Sequence, residues 1–320
     1  MHRTAATPRR PAAAGFTLIE MIVVVVIIGI LAALLLPAIQ ATLRSSREAK
    51  VVVELKQLEV AIGTFKTKYG VEPPSQIIIS TSLAGWNANP NSKALIQKIW
   101  PQLNFAATNI ADGSQSPADP YPDWWLNLPN GQLRLNSGEC LLFFLGGVIP
   151  NGPPAAAANW AAPIGFSTNP AYPFSPFGTS RNLPNVEFDI ARIKDSDGNS
   201  LPEYFDALPG QRNPILYFSS YDGSGYRVSG PTSELPAGGT LLDVYRQHSS
   251  ILAPGVATHA LPAHKAQSFQ LISPGIDGEY GSGGIFNPSL SDAGLTNAAA
   301  KPDKAAFDNL TNFHSTRLNP

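Results

Sequence analysis

Glu20 is the one charged group in a long apolar run. From Phe16 to Ile39, FTLIEMIVVVVIIGILAALLLPAI, the only polar side chains are Thr17 and Glu20. A carboxylate held in such a medium is strongly unfavourable unless it finds a partner, so its chemistry is ionic pairing. The alternative is an interfacial glutamate that the membrane edge tolerates. A second set of acids lies in DSDGNSLPEYFD, where Asp195, Asp197, Asn199 and Asp206 fall at offsets one, three, five and twelve. An EF-hand loop has that spacing, with oxygen ligands suited to calcium. It also requires Gly at offset six, where Ser200 stands, and Pro202 interrupts the loop. The stretch therefore reads as a calcium loop of another shape or as a polar turn.

Other reactive side chains are sparse. His248, His259 and His264 share one stretch, but their spacing matches no zinc pattern, and Pro254 and Pro262 break any helix that would align them. They read as surface histidines, and His314 has no evident partner. Cys140 is the single cysteine, so no intrachain disulfide forms; its neighbours CLLFFL point to a buried, inert thiol. The sequence contains no G-x-S-x-G, H-E-x-x-H, P-loop or C-x-x-C. An enzyme is not expected.

The elements that must position these groups begin with the apolar run. Met21 to Ile39 is nineteen residues without a charge, about 28 Å of helix, enough for a hydrocarbon core of about 30 Å. Arg3, Arg9 and Arg10 precede it without an acid, which keeps the N-terminus in the cytoplasm and exports the bulk of the chain. Pro37 removes one helical hydrogen bond and is expected to loosen the span. A secretory signal would carry its small residues after a shorter apolar region; here AAAG comes first. Beyond the span, Val51, Leu55, Leu58, Ile62, Phe65 and Tyr69 recur in steps of four and three, an amphipathic helical stripe. Glu48, Lys50, Glu54, Lys56, Glu59, Lys66 and Lys68 occupy the other faces, with Lys50 and Glu54 spaced to support one another. Gly70 and Pro73-Pro74 end the helix, which is predicted over 16–69.

Residues 70–320 read as one loop-rich α+β head. SKALIQKIWPQL (92–103) predicts a short helix with Ser92 as cap, and GECLLFFLGGV a second capped by Ser137. Residues 104–130, including Trp124 and Trp125, and the Pro-rich 150–185 read as loops. VEFDIARI (186–193), PILYFSS (214–220) and SFQLIS (268–273) predict strands. An antiparallel sheet covering the 51–69 stripe is the economical arrangement. The chain's 27 Gly and 30 Pro agree with abundant loops, and charged residues, at 14%, fall below the roughly 25% of typical soluble domains. Net charge is −1, so no global basic field favours nucleic acid.

RRPAAAG followed by FTLIEMIVVVVIIGILAALLLPAI resembles the class III signal of type IV pilins and type II secretion pseudopilins, with Gly15, Phe16, Thr17, Leu18, Glu20 and Pro37 where that family has them. The resemblance implies that residues 1–15 are a leader removed by a prepilin peptidase and that Phe16 is then N-methylated. It implies that Glu20 pairs with the amine of a neighbouring subunit, within a filament driven by a cytoplasmic ATPase. KYGVEPP is similar to the family's helix ending. DALPGQRNPILYF looks like an expanded form of a turn and strand of the major pseudopilin. FQLISPGIDGEYGSGG and FDNLTNF are similar to that protein's calcium-binding C-terminal end. On that likeness Asp277 and Asp308 are candidate calcium ligands, with Glu279 and Asp303 as further candidates. Asn309 stands where the family has an acid, and the segment between the motifs is long and holds Pro288 and Pro302.

Together these readings predict a structural subunit of a type II secretion pseudopilus, anchored in the bacterial inner membrane by one helix with its head in the periplasm. Its expected partners are the membrane, the peptidase and copies of itself or related subunits. A surface pilus subunit for adhesion or DNA uptake, with its head at the cell surface, is the second reading. A tethered binding module or enzyme using the same leader is the third.

Overall fold

The structure, a computed structural model, describes residues 17–80, 82–106, 132–150, 160–176, 178–228, 241, 243–247, 261–289, 295–296 and 303–318. The chain divides into two units, Met1–Ser46 and Arg47–Pro320. The first long element, α1 (Leu18–Tyr69), is a continuous 52-residue helix with Pro37 inside it. In the N-terminal unit its side chains from Leu18 to Ile39 are exposed, and the segment is long and apolar enough to cross a membrane. An apolar surface with no protein against it is stable only in lipid or against other apolar helices.

In the second unit α1 is amphipathic. Val51, Leu55, Leu58, Ala61, Ile62 and Phe65 are buried, the stripe expected from the spacing with Ala61 added. Gly70 follows with φ +76°, the left-handed conformation that closes a helix. Next come β1 (Ile77–Ser80), α2 (Leu83–Ala88), α3 (Pro90–Ile99), β2 (Gln132–Leu135) and α4 (Ser137–Gly146). β1 and β2 pair antiparallel, Ile77 opposite Leu135. Two caps differ from expectation. α3 begins at Pro90, whose missing N–H suits a first turn, and Ser92 Oγ instead accepts from Ile78 N. α4 is capped by Asn136, whose side chain accepts from Gly138 N and Glu139 N while Glu139 bonds back to Asn136 N. This capping box displaces Ser137 because Asn136 is the residue with extended backbone.

α4 is almost wholly buried and supplies part of the cover for α1, so the expected sheet-only cover is incomplete. Phe144 of α4 meets Phe65 edge-on, with ring centroids 5.8 Å apart. Trp100 joins them by contacting Tyr69, Phe144, Phe166 and Phe174. Cys140 is buried, as its neighbours predicted, and its thiol donates to the Leu135 carbonyl at 3.8 Å.

The remaining strands are short. β3 (Phe166–Ser167) pairs with β4 (Arg181–Asn182), and β5 (Ile193–Lys194) with β6 (Glu203–Tyr204), each antiparallel. The strand expected over 186–193 is mostly absent: Asp189 accepts from Ala191 N and turns 190–192 into a 3-10 turn, leaving only β5. β7 (Leu216–Ser219), β9 (Phe269–Ser273) and β12 (Leu310–Thr311) form an antiparallel sheet in the order β12-β9-β7. β8 (Tyr245–Arg246), β10 (Gly284–Phe286) and β11 (Leu295–Thr296) form another, in which β8 and β10 run parallel. β7 and β9 separate two apolar clusters. Tyr217, Phe269 and Leu271 join the main core around α1 and α4, while Leu216, Phe218 and Ile272 join Tyr245, Tyr280 and Phe286. Alternate side chains thus enter opposite cores, and both faces of these strands are buried.

Candidate functional site

The N-terminal end of α1 is built by a four-residue exchange. Thr17 N and Oγ donate to Glu20 Oε2 at 2.8 and 2.7 Å, and Glu20 N donates to Thr17 Oγ at 3.3 Å. This is a capping box, legible as T-x-x-E but absent from the sequence reading above. Within one chain it gives Glu20 a partner through a single carboxylate oxygen. Gly15 and Phe16, the candidate cleavage and methylation residues, lie outside the described residues, as does the leader.

Where α1 joins the head, three ion-pair groups hold it. Glu54 does not pair with Lys50. Its carboxylate accepts from both terminal nitrogens of Arg192, at 2.8 and 2.7 Å, and from Tyr204 Oη at 2.7 Å. Glu59 bridges Lys56 and Lys265 at 2.8 and 3.2 Å. Lys66 bridges Glu72 and Asp222 at 3.1 and 2.7 Å. These pairs join residues up to 206 positions apart, beyond the reach of a local reading.

The 195–206 acids do not form one ligand set. Asp195 accepts from Gly198 N and Ser200 N, and Asp197 from Asn199 N and Nδ2. Asp206 turns elsewhere and accepts from Leu208 N, Gln211 Nε2 and Ser273 Oγ. Two acids the sequence did not single out join the loop instead. Glu139 accepts from Asn199 Nδ2 at 2.6 Å, and Glu203 from Ser196 N and Oγ and from Asn136 Nδ2. Glu139, Glu203 and Asp206 are 1, 1 and 2% exposed. Burial pushes the Glu139 carboxyl up to about 8 against its bonds from Asn199 and Asn136, with Glu203 and Asp197 adding to the rise. Burial likewise raises Glu203 to about 7 and Asp206 to about 6.

The C-terminal candidates are partly brought together. Asp308 Oδ2 accepts from Ile276 N and Asp277 N at 2.6 and 3.0 Å, and Asp277 Oδ1 accepts from Glu279 N at 2.8 Å. Burial raises the Asp277 carboxyl, and Asp308 and Glu279 add to the rise. Asp303 caps a neighbouring turn through Ser282 N and Oγ. A calcium ion would draw six to eight oxygens from such a loop, yet its carbonyls are already engaged. Gly275 O accepts from Gln211 Nε2, Gly278 O from Asn213 Nδ2, and Tyr280 O from Asn309 Nδ2. Asn309, where the resemblance called for an acid, is thus a buried donor to the loop. Among the described residues no group of three or more His, Cys, Asp or Glu is disposed to hold a metal, and the donor set fits calcium poorly. His264 stacks on Phe313 at 4.5 Å and shares the Phe286 ring with His314, while His248 and His259 lie outside the described residues.

Comparison with known proteins adds to this geometry. Residues 10–36 match the prokaryotic N-terminal methylation motif. The chain is 28% identical over 149 residues to type II secretion system core protein G of Klebsiella pneumoniae, covering 46% of this chain and 93% of that protein. It is 35% identical over 88 residues to fimbrial protein EcpB of Eikenella corrodens, covering 25% of this chain and 55% of that protein. No solved structure matches.

Proposed function

Because this chain is a pilin-like protein, we propose that it is a structural subunit of a type II secretion-type pseudopilus, cut after Gly15, methylated on Phe16 and assembled through α1. The observation that carries the reading is α1 itself. It has a motif-bearing N-terminus, an apolar half with every side chain from Leu18 to Ile39 exposed in the single chain, and one carboxylate in its first turn. The exposed surface needs lipid before assembly and neighbouring helices after it. Glu20 Oε1 is the oxygen outside the capping box, and in this reading it receives the Phe16 amine of a neighbour. The assembly machinery supplies the peptidase and the ATPase; the chain contributes no catalytic group. The head is held by its own hydrogen bonds, without a requirement for calcium.

The similarity to core protein G over 93% of that protein supports the secretion assignment. The shorter similarity to a fimbrial protein supports the second reading, a surface pilus subunit. Shearing intact cells, followed by N-terminal peptide mass analysis of sheared and envelope fractions, tests both. Methylated Phe16 confined to the envelope is the expected result. Methylated Phe16 in sheared filaments transfers the assignment to a surface pilus, and an intact residue 1–15 segment in the mature protein refutes both.

A further inference from the structure

We propose that the outer face of α1 and the neighbouring 183–190 segment form the surface on which a second copy of this chain packs at head level. Five large apolar side chains of the Arg47–Pro320 unit are the exposed ones among its described residues: Val53, Val60, Leu83, Leu183 and Ile190. Four of them border one band. Val53 and Val60 line a groove of about 800 Å³ between α1 and residues 185–189. Leu183 and Ile190 line an adjoining hollow of about 290 Å³ that shares Val186 and Phe188 with it. Concentration of exposed apolar surface in one place marks an interaction site more than scattered residues do.

Charge selects the occupant. The rim of the groove carries the exposed carboxylates Glu187 and Asp189; Asp189 is paired with Arg192 of the same groove at 3.2 Å, which leaves Glu187 as the acid that meets a neighbour. Lys50 lies three residues before Val53 and seven before Gln57, on the same face of α1 as the groove wall, and Arg47 lies one turn further back. Both are exposed. The band is therefore basic at the N-terminal end and acidic beside its apolar centre, a self-complementary arrangement along a helix. A parallel copy displaced by about seven residues, roughly 10 Å, sets its Lys50 against Glu187 while the Val53 and Val60 levels remain in apolar contact. Heterologous contacts of this kind repeat without closing, as a filament requires. The inference rests on the assembly reading above and adds to it which head surface is used.

Disulfide cross-linking of the full chain in its own membrane tests it. Lys50, Glu187 and Leu83 are exposed, so cysteines there leave the core intact, and Cys140 stays buried. Lys50→Cys with Glu187→Cys in one chain should give a ladder of multimers on oxidation. Lys50→Cys with Leu83→Cys should give at least ten-fold less. Ile28→Cys, in the apolar half, reports assembly separately. A disulfide-linked dimer from Ile28→Cys, the limit for one accessible cysteine per chain, with no ladder from the 50/187 pair overturns the surface while leaving assembly standing, and no cross-linked product from either overturns both. Charge reversal gives an independent readout. Lys50→Glu and Glu187→Lys should each lower the recovered multimers about ten-fold, and the double reversal should restore them. Failure of the double reversal to restore them argues against direct apposition.

Discussion

The buried acids around α4 predict that the head loses stability as pH rises through neutrality. Glu139 and Glu203 fold with carboxyl groups raised to about 8 and about 7 from an ordinary 4.5. Between these values the folded chain keeps protons that the unfolded chain releases. Stability is therefore fully present below about pH 4.5 and is lost as pH climbs towards each folded value. Each proton so held is worth about 1.4 kcal/mol per pH unit. From pH 5.5 to 7.0 the two groups together give at most about 4 kcal/mol, and mutual coupling brings the expected loss to roughly 2–4 kcal/mol. For a head of this size that is on the order of 10 °C in melting temperature. Urea unfolding of the full chain in micelles, followed by tryptophan fluorescence at several pH values, measures it, since Trp86, Trp100 and Trp160 are buried. Glu139→Gln retains the shape and removes one titrating group, so its slope should fall by about half. Taking the difference between parent and variant cancels every other titration. A slope that Glu139→Gln leaves unchanged refutes the account.

Four further outcomes are expected. Leu58→Ala, deleting a fully buried side chain of the α1 stripe, should destabilise the head by about 2–5 kcal/mol in the same unfolding assay. Burial holds the His264 imidazole below its ordinary value, so its contribution is present above about pH 6.5 and lost as pH falls below that; His264→Phe should flatten the acid side of the profile. Gly165 has φ +77°, and a Cβ there would strike the Asn182 carbonyl; Gly165→Ala should lower the melting temperature by several degrees and expose the β3–β4 pair to proteolysis. Millimolar calcium should move the melting temperature by under about 2 °C, because a site saturated at a hundred times its dissociation constant would add about 2.7 kcal/mol, while Asn213→Ala should lower stability with or without calcium.

The parts of the fold governed by spacing along the chain were legible before any tertiary contact was known. Nineteen uncharged residues, the Thr17-to-Glu20 interval and a four-three apolar stripe each act through neighbours within a turn or two of one helix, and α1 follows from them. Strands β7 and β9 were legible as apolar runs, and Cys140 as a buried thiol, because burial on every side needs only apolar neighbours. Tertiary structure decided everything that joins distant residues. Glu54 meets Arg192 and Tyr204 rather than Lys50 because a bidentate guanidinium reaches it from across the chain. The acids of 195–206 separate because Asp206 is drawn to Gln211 and Ser273, and Glu139 enters their loop from α4. The C-terminal loop resembles a calcium site in one dimension. In three dimensions Gln211, Asn213 and Asn309 occupy its carbonyls, since a carbonyl partner is chosen by proximity in space and no spacing along the chain encodes it.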